Sequence, residues 1–103
     1  MKRFEIVWTI PALEELELIF EYYSLKSEAT AHNIIESILA TTKQLQKLPF
    51  SGQEEEFLKK ANKGHRYLVN RNYKIIYRFE GRVIYITDVF DTRQNPKKLT
   101  RHP

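Results

Sequence analysis

Apolar side chains follow two spacings along the chain, one typical of strands and one typical of helices. Residues 3–8, RFEIVW, alternate apolar and polar side chains, which predicts a short strand. Beyond it the apolar residues recur three and four positions apart, which predicts an amphipathic helix. Thr9 and Pro11 fit the start of this helix, because proline is favoured in the first turn. Its apolar side comprises Ala12, Leu13, Leu16, Ile19, Phe20 and Tyr23, and its expected solvent side Glu14, Glu15, Glu17 and Glu21.

A second helix is predicted from about Glu28 to Leu48. Ser27 can cap its first turn, and Pro49 ends it because the residue before a proline is driven out of the helical region. Since only a short linker separates the two helices, we expect an antiparallel helix hairpin. The apolar stripe of the second helix comprises Ala31, Ile34, Ile35, Ile38, Leu45 and Leu48.

The second half of the chain is rich in β-branched and aromatic residues. Three strands are predicted, at 65–69, 73–79 and 82–90, with turns between them, and together they form an antiparallel meander. Residues 50–64 fit a loop, a short strand or a helical turn. A strand, two helices and three strands predict one α+β domain over residues 1–103, with the helices on one sheet face and the other face free.

Side chains alternate along a strand, so the faces of the sheet can be predicted. Tyr73, Ile75, Tyr77 and Phe79 form the more apolar set and are expected to meet the helices. A two-residue turn at Glu80–Gly81 would place Lys74 opposite Thr87, Ile76 opposite Tyr85 and Arg78 opposite Val83. The open face would then carry Lys74, Arg78, Tyr85 and Thr87, and Arg93 has the same parity if the strand continues.

The register of the preceding strand stays open between two alternatives. A two-residue turn at Arg71–Asn72 puts His65 and Tyr67 on the face of Lys74. A three-residue turn at 70–72 puts Arg66 there instead, because a shift of one residue exchanges the two faces.

Charge is distributed unevenly along the 103 residues. Residues 1–58 carry five Lys/Arg and ten Asp/Glu, whereas residues 59–103 carry twelve and three. The basic half indicates an anionic partner, such as nucleic acid or an acidic protein segment, or else a solvated surface. The absence of cysteine excludes disulfides and thiolate chemistry and fits a reducing cytosol. No apolar run approaches the roughly 20 residues that span a membrane, and the early acidic residues are unlike a signal peptide.

The cations of the predicted open face suggest its chemistry. Lys74, Arg78 and Arg93 together could bind phosphate or carboxylate groups. The alternative is that Arg93 only pairs with Asp88 or Asp91. No metal site or cofactor is expected, because the histidines are scattered and the acidic run 54–56 is typical of a solvated loop.

Residues 73–96, YKIIYRFEGRVIYITDVFDTRQNP, resemble the C-terminal half of the RelE/ParE superfamily of bacterial type II toxins. The first strand, the helix pair, the Leu-Pro ending and the Gly-x-Arg at Gly64–Arg66 are similar as well. The resemblance implies a toxin that is neutralised by a small antitoxin protein. The ending DTRQNP and the long helix pair look more like the ParE, or plasmid stabilisation, branch. That branch implies a cytoplasmic protein that inhibits DNA gyrase and is not an enzyme.

The alternative branch is RelE-like, whose members cleave messenger RNA on the ribosome. Under that resemblance His65, Lys74 and Arg93 would be catalytic, although His65 and Tyr67 stand where the family has lysines. His102 lies near the C-terminus, as in some cleaving members. A third alternative is a non-toxic, basic nucleic-acid-binding domain. The residues expected to bind target or phosphate are Arg66, Lys74, Arg78, Tyr85 and Arg93. For the antitoxin we expect an acidic amphipathic helix on the helix hairpin or on the Lys74 face.

Overall fold

A five-stranded mixed sheet lies at the centre of the protein, in a computed structural model that describes residues 3–94. Along the sheet the strands follow the order β1-β5-β4-β3-β2. β1 is parallel to β5, and the other neighbours are antiparallel. The predicted α+β fold is therefore confirmed, and β3 to β5 form the predicted meander. The strands are β1 Glu5–Trp8, β2 Gln53–Glu54, β3 Arg66–Asn70, β4 Tyr73–Glu80 and β5 Val83–Asp91.

Two capped helices, α1 Ile10–Ser24 and α2 Glu28–Lys43, form the predicted hairpin. Thr9 and Ser27 cap them, and the Ser27 hydroxyl accepts the amide of Thr30 at 3.2 Å. The prediction that α2 reaches Leu48 is wrong, since the chain tightens into a 3-10 turn after Lys43. This turn rotates Leu48 out of the apolar stripe and leaves it 61% exposed. Among the described residues, no helix is long and apolar enough to cross a membrane.

The main core lies between the helix hairpin and one face of the sheet. Tyr73, Ile75 and Tyr77 face the helices as predicted. The amide of Asn70 joins β3 to α2, because it donates to the Ser37 hydroxyl and to the Thr41 hydroxyl at 2.9 Å each. The other members of this core are Ala12, Leu16, Ile19, Ile34, Ile38, Leu45, Leu68, Ile84, Ile86 and Val89.

The opposite face of the sheet is partly covered, so the expectation of a free face is wrong. A 3-10 segment, Glu56–Ala61, follows β2 and places Leu58 on Ile76 and Phe90. Ile76 is fully buried there, and Tyr67 packs at the edge of this small cluster. The cover removes apolar side chains of that face from water. Residues 50–64 thus contain both a short strand and helical turns.

The β3–β4 turn resolves the first register. Asn70 pairs with Tyr73, so Arg71 and Asn72 form a two-residue turn, with Arg71 at a φ of 55°. Tyr67 lies opposite Ile76 on the Lys74 face, which is the first of the two alternatives. Arg66 faces the other way.

The β4–β5 register differs from the prediction in two ways. Glu80 pairs with Val83, so the turn is Gly81–Arg82, and Gly81 takes the positive φ that suits the first central position of a hairpin turn. Arg78 therefore lies opposite Tyr85, and the bulge described next places Lys74 opposite Phe90. A bulge then inserts Thr87 as an extra residue, since Tyr77 pairs with Ile86 but Ile76 pairs with Asp88.

The bulge changes which residues face the helices. Beyond it, Val89 and Asp91 pair with Ile75 and Tyr73, which both belong to the core under the helices. Tyr85 thus lies on the face away from the helices, whereas Val89, which is also an odd-numbered residue of β5, faces the helices. The end of β5 and the following Arg93 therefore lie on a side of the sheet that the sequence pattern does not predict.

Candidate functional site

Lys74 is bound to a buried carboxylate. Its Nζ lies 3.0 Å from Oε2 of Glu55, which is only 1% exposed. The second oxygen of Glu55 accepts the amide of Phe57 at 3.1 Å, so the same carboxylate caps the 3-10 segment. The Lys74 ammonium also lies 4.3 Å from the ring centre of Tyr67. The charge of Lys74 is therefore compensated inside the protein.

Arg78 and Tyr85 lie together on the same face, as predicted. The guanidinium of Arg78 stacks 4.9 Å from the ring centre of Tyr85, and its Nη1 donates to Glu80 at 2.8 Å. The register shift brought them directly opposite each other. This pair offers a cation and an aromatic ring beside one another, which suits contact with an anionic or planar group.

His65 and Arg66 point in different directions from the start of β3. His65 is only 6% exposed, and its Nδ1 has no hydrogen-bond partner within residues 3–94. Burial, together with the nearby charges of Arg78 and Lys63, lowers the pKa of His65. Arg66 donates to the carbonyl of Gly52 at 2.8 Å. The lowered pKa of His65 favours its neutral imidazole.

Arg93 does not join the row of Lys74 and Arg78, so that expectation is wrong. Its guanidinium binds Asp91 through two nitrogens, with the shortest contact of 2.7 Å from Nη2 to Oδ2. Hydrogen bonds from Arg93 hold the pKa of Asp91 well below its usual range. This is the pairing with Asp91 that the sequence left as an alternative. The bulge in β5 is the cause, because it turns the strand end toward α1.

A cleft of about 430 Å³ lies between α1 and the end of β5. Glu15 lies within it and accepts the amide of Val89 at 2.9 Å, where β5 has passed the end of β1. Burial raises the pKa of Glu15 to about 7. The lining includes Leu18, Tyr22, Tyr73 and Arg93. We call this space the α1–β5 cleft.

The outer side of α1 beside this cleft is unusually apolar. Leu18 is 64% exposed and Tyr22 57% exposed, and both also line the cleft. Leu25, at the end of the helix, is 87% exposed. Leu18 and Tyr22 on α1 and Leu25 directly after it form an exposed apolar row, and contiguous apolar patches of this kind mark interaction surfaces. Glu14, Glu17 and Glu21 are exposed on the same helix.

Sequence reasoning missed two acidic residues. Glu55 belongs to a run of three glutamates expected in a solvated loop, yet it is buried under Lys74. Glu15 was assigned to the wet side of α1, yet it binds the backbone of β5. The helical spacing could have indicated Glu15, which lies three residues after Ala12 and four before Ile19 and so borders the buried stripe of α1. Nothing in residue type or spacing separates Glu55 from its exposed neighbours.

No other predicted chemistry can be placed. His102 lies outside the described residues. Within residues 3–94 no group of three or more His, Cys, Asp or Glu side chains could hold a metal ion.

Known proteins agree with this architecture. A chain of known structure from the "Chromosomal ParDE TA system from P. aeruginosa" superposes with a TM-score of 0.72. It is 22% identical, and the match covers 86% of this chain and 96% of that chain. At this identity the likeness concerns the fold. Curated proteins give no match.

The sequence itself matches one protein family over most of its length. The family is described as "ParE toxin of type II toxin-antitoxin system, parDE", and the match covers residues 6–96. It therefore includes all but the first residue of β1, the helix hairpin and the whole meander. The chain belongs to the ParE toxin family of type II toxin-antitoxin systems.

Proposed function

We propose that this toxin arrests bacterial growth by binding and inhibiting DNA gyrase, and that it does not cleave RNA. Gyrase is the target that the resemblance to ParE-like toxins implies. The supporting observation is that Lys74, a residue a ribonuclease would need, is neutralised by the buried Glu55. The same target would place the protein in the cytoplasm.

Metal-free RNA cleavage needs a base on the 2′-hydroxyl, an acid for the leaving oxygen, and cations on the phosphate. His65 is buried, and Lys74 and Arg93 are each bound to a carboxylate. Arg93 also belongs to the α1–β5 cleft, away from the pair of Arg78 and Tyr85. A protein that acts by binding needs none of these groups free, which favours gyrase inhibition over the RelE-like alternative.

For the contact with the target we propose the face that holds Arg78 and Tyr85. The side chain of Arg78 is only 19% exposed, but the ring of Tyr85 stacks against it and enlarges the proposed contact surface. Arg66 and Arg93 remain proposed contacts at two other edges of the molecule. Lys74 contributes by supporting the fold of this face.

For the antitoxin we propose the outer side of α1 and the α1–β5 cleft. The exposed row of Leu18, Tyr22 and Leu25 would bury the apolar side of an antitoxin segment. Glu14, Glu17 and Glu21 on this helix would repel acidic groups. A segment with lysine or arginine at its flanks fits this surface better than the acidic helix expected from the sequence.

Pulse labelling after induction in a bacterial host tests the target. We expect DNA synthesis to fall within the first minutes while protein synthesis continues, and purified chain to inhibit supercoiling by gyrase. Tyr85→Ala is expected to weaken the inhibition, with the exposed Lys60→Ala as a matched surface control. If protein synthesis falls first, the RelE-like alternative replaces the proposal. If neither falls and growth continues, an active toxin is excluded.

A further inference from the structure

A second pocket, of about 330 Å³, lies at the other end of the sheet from the α1–β5 cleft. It opens between the start of β3, the β2 segment and the loop that follows the 3-10 segment. Lys74, Arg78, Tyr85 and Arg93 are not among its lining residues, so it is separate from the α1–β5 cleft and from the pair of Arg78 and Tyr85. We call it the Phe50 pocket. Its lining includes Phe50, Lys59, Lys63, His65, Arg66 and Phe79.

One wall of the Phe50 pocket is aromatic. The rings of Phe50 and Phe79 lie 4.8 Å apart between centres and are tilted by 31°. Phe50 is 65% exposed, which is unusual for so large an apolar side chain. The guanidinium of Arg66 lies 5.6 Å from the ring centre of Phe50. A flat group could therefore stack on Phe50 beside a cation.

The other wall is polar and positively charged. Lys63 and Arg66 form no ion pair within residues 3–94, so their charges are available. Positive φ values at Asn62 and Gly64 shape the loop around Lys63, and a Cβ added at Gly64 would meet no atom within 4 Å. Of the two carboxylates in the lining, Glu55 is compensated by Lys74, which leaves Glu54, the strand partner of Arg66, as the other acid.

A buried side chain in this pocket lacks a partner. His65 lies in the lining, is 6% exposed, and has no hydrogen-bond partner at Nδ1 within the described part of the chain. That atom is itself buried, so His65 senses a bound anion through the charge of the anion rather than by direct contact.

We propose that the Phe50 pocket binds a nucleoside monophosphate. The base stacks on Phe50, and the phosphate lies between Lys63 and Arg66. The volume suits one such molecule, because small-ligand pockets begin at about 300 Å³. Apart from Arg66, which is also a proposed target contact, this binding uses residues that the proposed function does not, so a failure of either proposal leaves the other standing.

Titration of the full-length chain, followed by backbone amide NMR, tests the site. The probes are adenosine monophosphate, inorganic phosphate and adenosine, each added separately. We expect saturable shifts at Lys63, Gly64 and His65, with the monophosphate binding at least about tenfold more tightly than either fragment. The bound phosphate should also raise the pKa of His65, which its ring signals report. Absence of saturation, or equal affinity for phosphate alone, would overturn the proposal.

Two charge-reversal variants separate a built site from general attraction. Lys63→Glu is expected to weaken monophosphate binding by about tenfold or more, because it places a carboxylate against the phosphate. Lys60→Glu makes the same change at an exposed residue outside the lining and should weaken it by only about twofold. Phe50→Leu should weaken the monophosphate by about tenfold and leave phosphate binding unchanged. Equal losses for the two lysine variants would overturn the proposal.

Discussion

Replacing Lys74 by methionine tests whether its main role is to compensate Glu55. The Glu55 carboxylate is 1% exposed, and the Lys74 ammonium lies 3.0 Å from it. Removing the cation leaves a buried charge without its partner, which typically costs about 3–5 kcal/mol. The side chain of Lys74 is 22% exposed, so water reaches the site in part and we expect the lower end, about 3 kcal/mol.

The assay is urea denaturation at constant pH, followed by circular dichroism. A loss of about 3 kcal/mol is a large share of the roughly 5–15 kcal/mol that stabilises a domain of this size. It would lower the melting temperature by roughly 15 °C. The double variant Glu55→Gln/Lys74→Met removes both charges while the Gln oxygen can still accept the Phe57 amide. It should recover about 2 kcal/mol relative to Lys74→Met alone.

An exposed ion pair in the same segment provides the control. Lys59 lies 3.5 Å from Glu56, and their side chains are 60% and 78% exposed. Lys59→Met should therefore cost no more than about 0.5 kcal/mol. If Lys74→Met lowers the free energy of unfolding as little as Lys59→Met does, compensation of Glu55 is not the main role of Lys74. Lys74 would then return as a candidate for phosphate binding.

Three further changes probe the cleft and the core. Burial raises the pKa of Glu15 from 4.5 to about 7. Between these two pH values the folded chain keeps a proton on Glu15 that the unfolded chain releases, so the free energy of unfolding falls as the pH rises from 4.5 to 7. Glu15→Gln should remove this loss of stability, which is on the order of 2 kcal/mol. If the difference between the urea midpoints at pH 4.5 and pH 8 is the same in Glu15→Gln as in the unchanged protein, the expectation is contradicted. Gly52→Ala would bring a Cβ to 2.7 Å from the Tyr67 carbonyl oxygen and 2.9 Å from Cε1 of Tyr77, and should cost about 1–3 kcal/mol by thermal melting. The Gly52 amide donates to the Tyr77 hydroxyl at 3.0 Å, and Tyr77→Phe removes this acceptor. The variant should lose about 1–3 kcal/mol of unfolding free energy, and a smaller loss would mean that water replaces the hydroxyl.

The elements of the fold follow from short-range patterns, and those patterns are explicit in this sequence. Helix starts at Thr9 and Ser27 depend on side chains that act within three residues, so the sequence predicts them. The alternation in 73–79 depends only on the geometry of an extended backbone, and it correctly assigned Tyr73, Ile75 and Tyr77 to the helix side. The order of elements and their resemblance to RelE/ParE toxins also came from these local signals.

The sequence did not predict the register of the sheet correctly, because the register depends on contacts between strands. Placing the turn at Glu80–Gly81 was wrong by one residue, which shifts the pairing by two and preserves the faces. Arg78 and Tyr85 therefore stayed on one side, and the structure only brought them closer. The bulge at Thr87 adds a single residue and exchanges the faces, so the same reasoning misplaced Arg93.

The sequence by itself determined the α+β class, the helix hairpin, the basic second half and the resemblance to the toxin family. The tertiary structure alone decided which charged residues are available. Glu55 and Glu56 are neighbours of the same type, yet one is buried against Lys74 and the other is exposed beside Lys59. The state of a charge is set by its burial and by partners distant along the chain, and a local pattern carries no record of either.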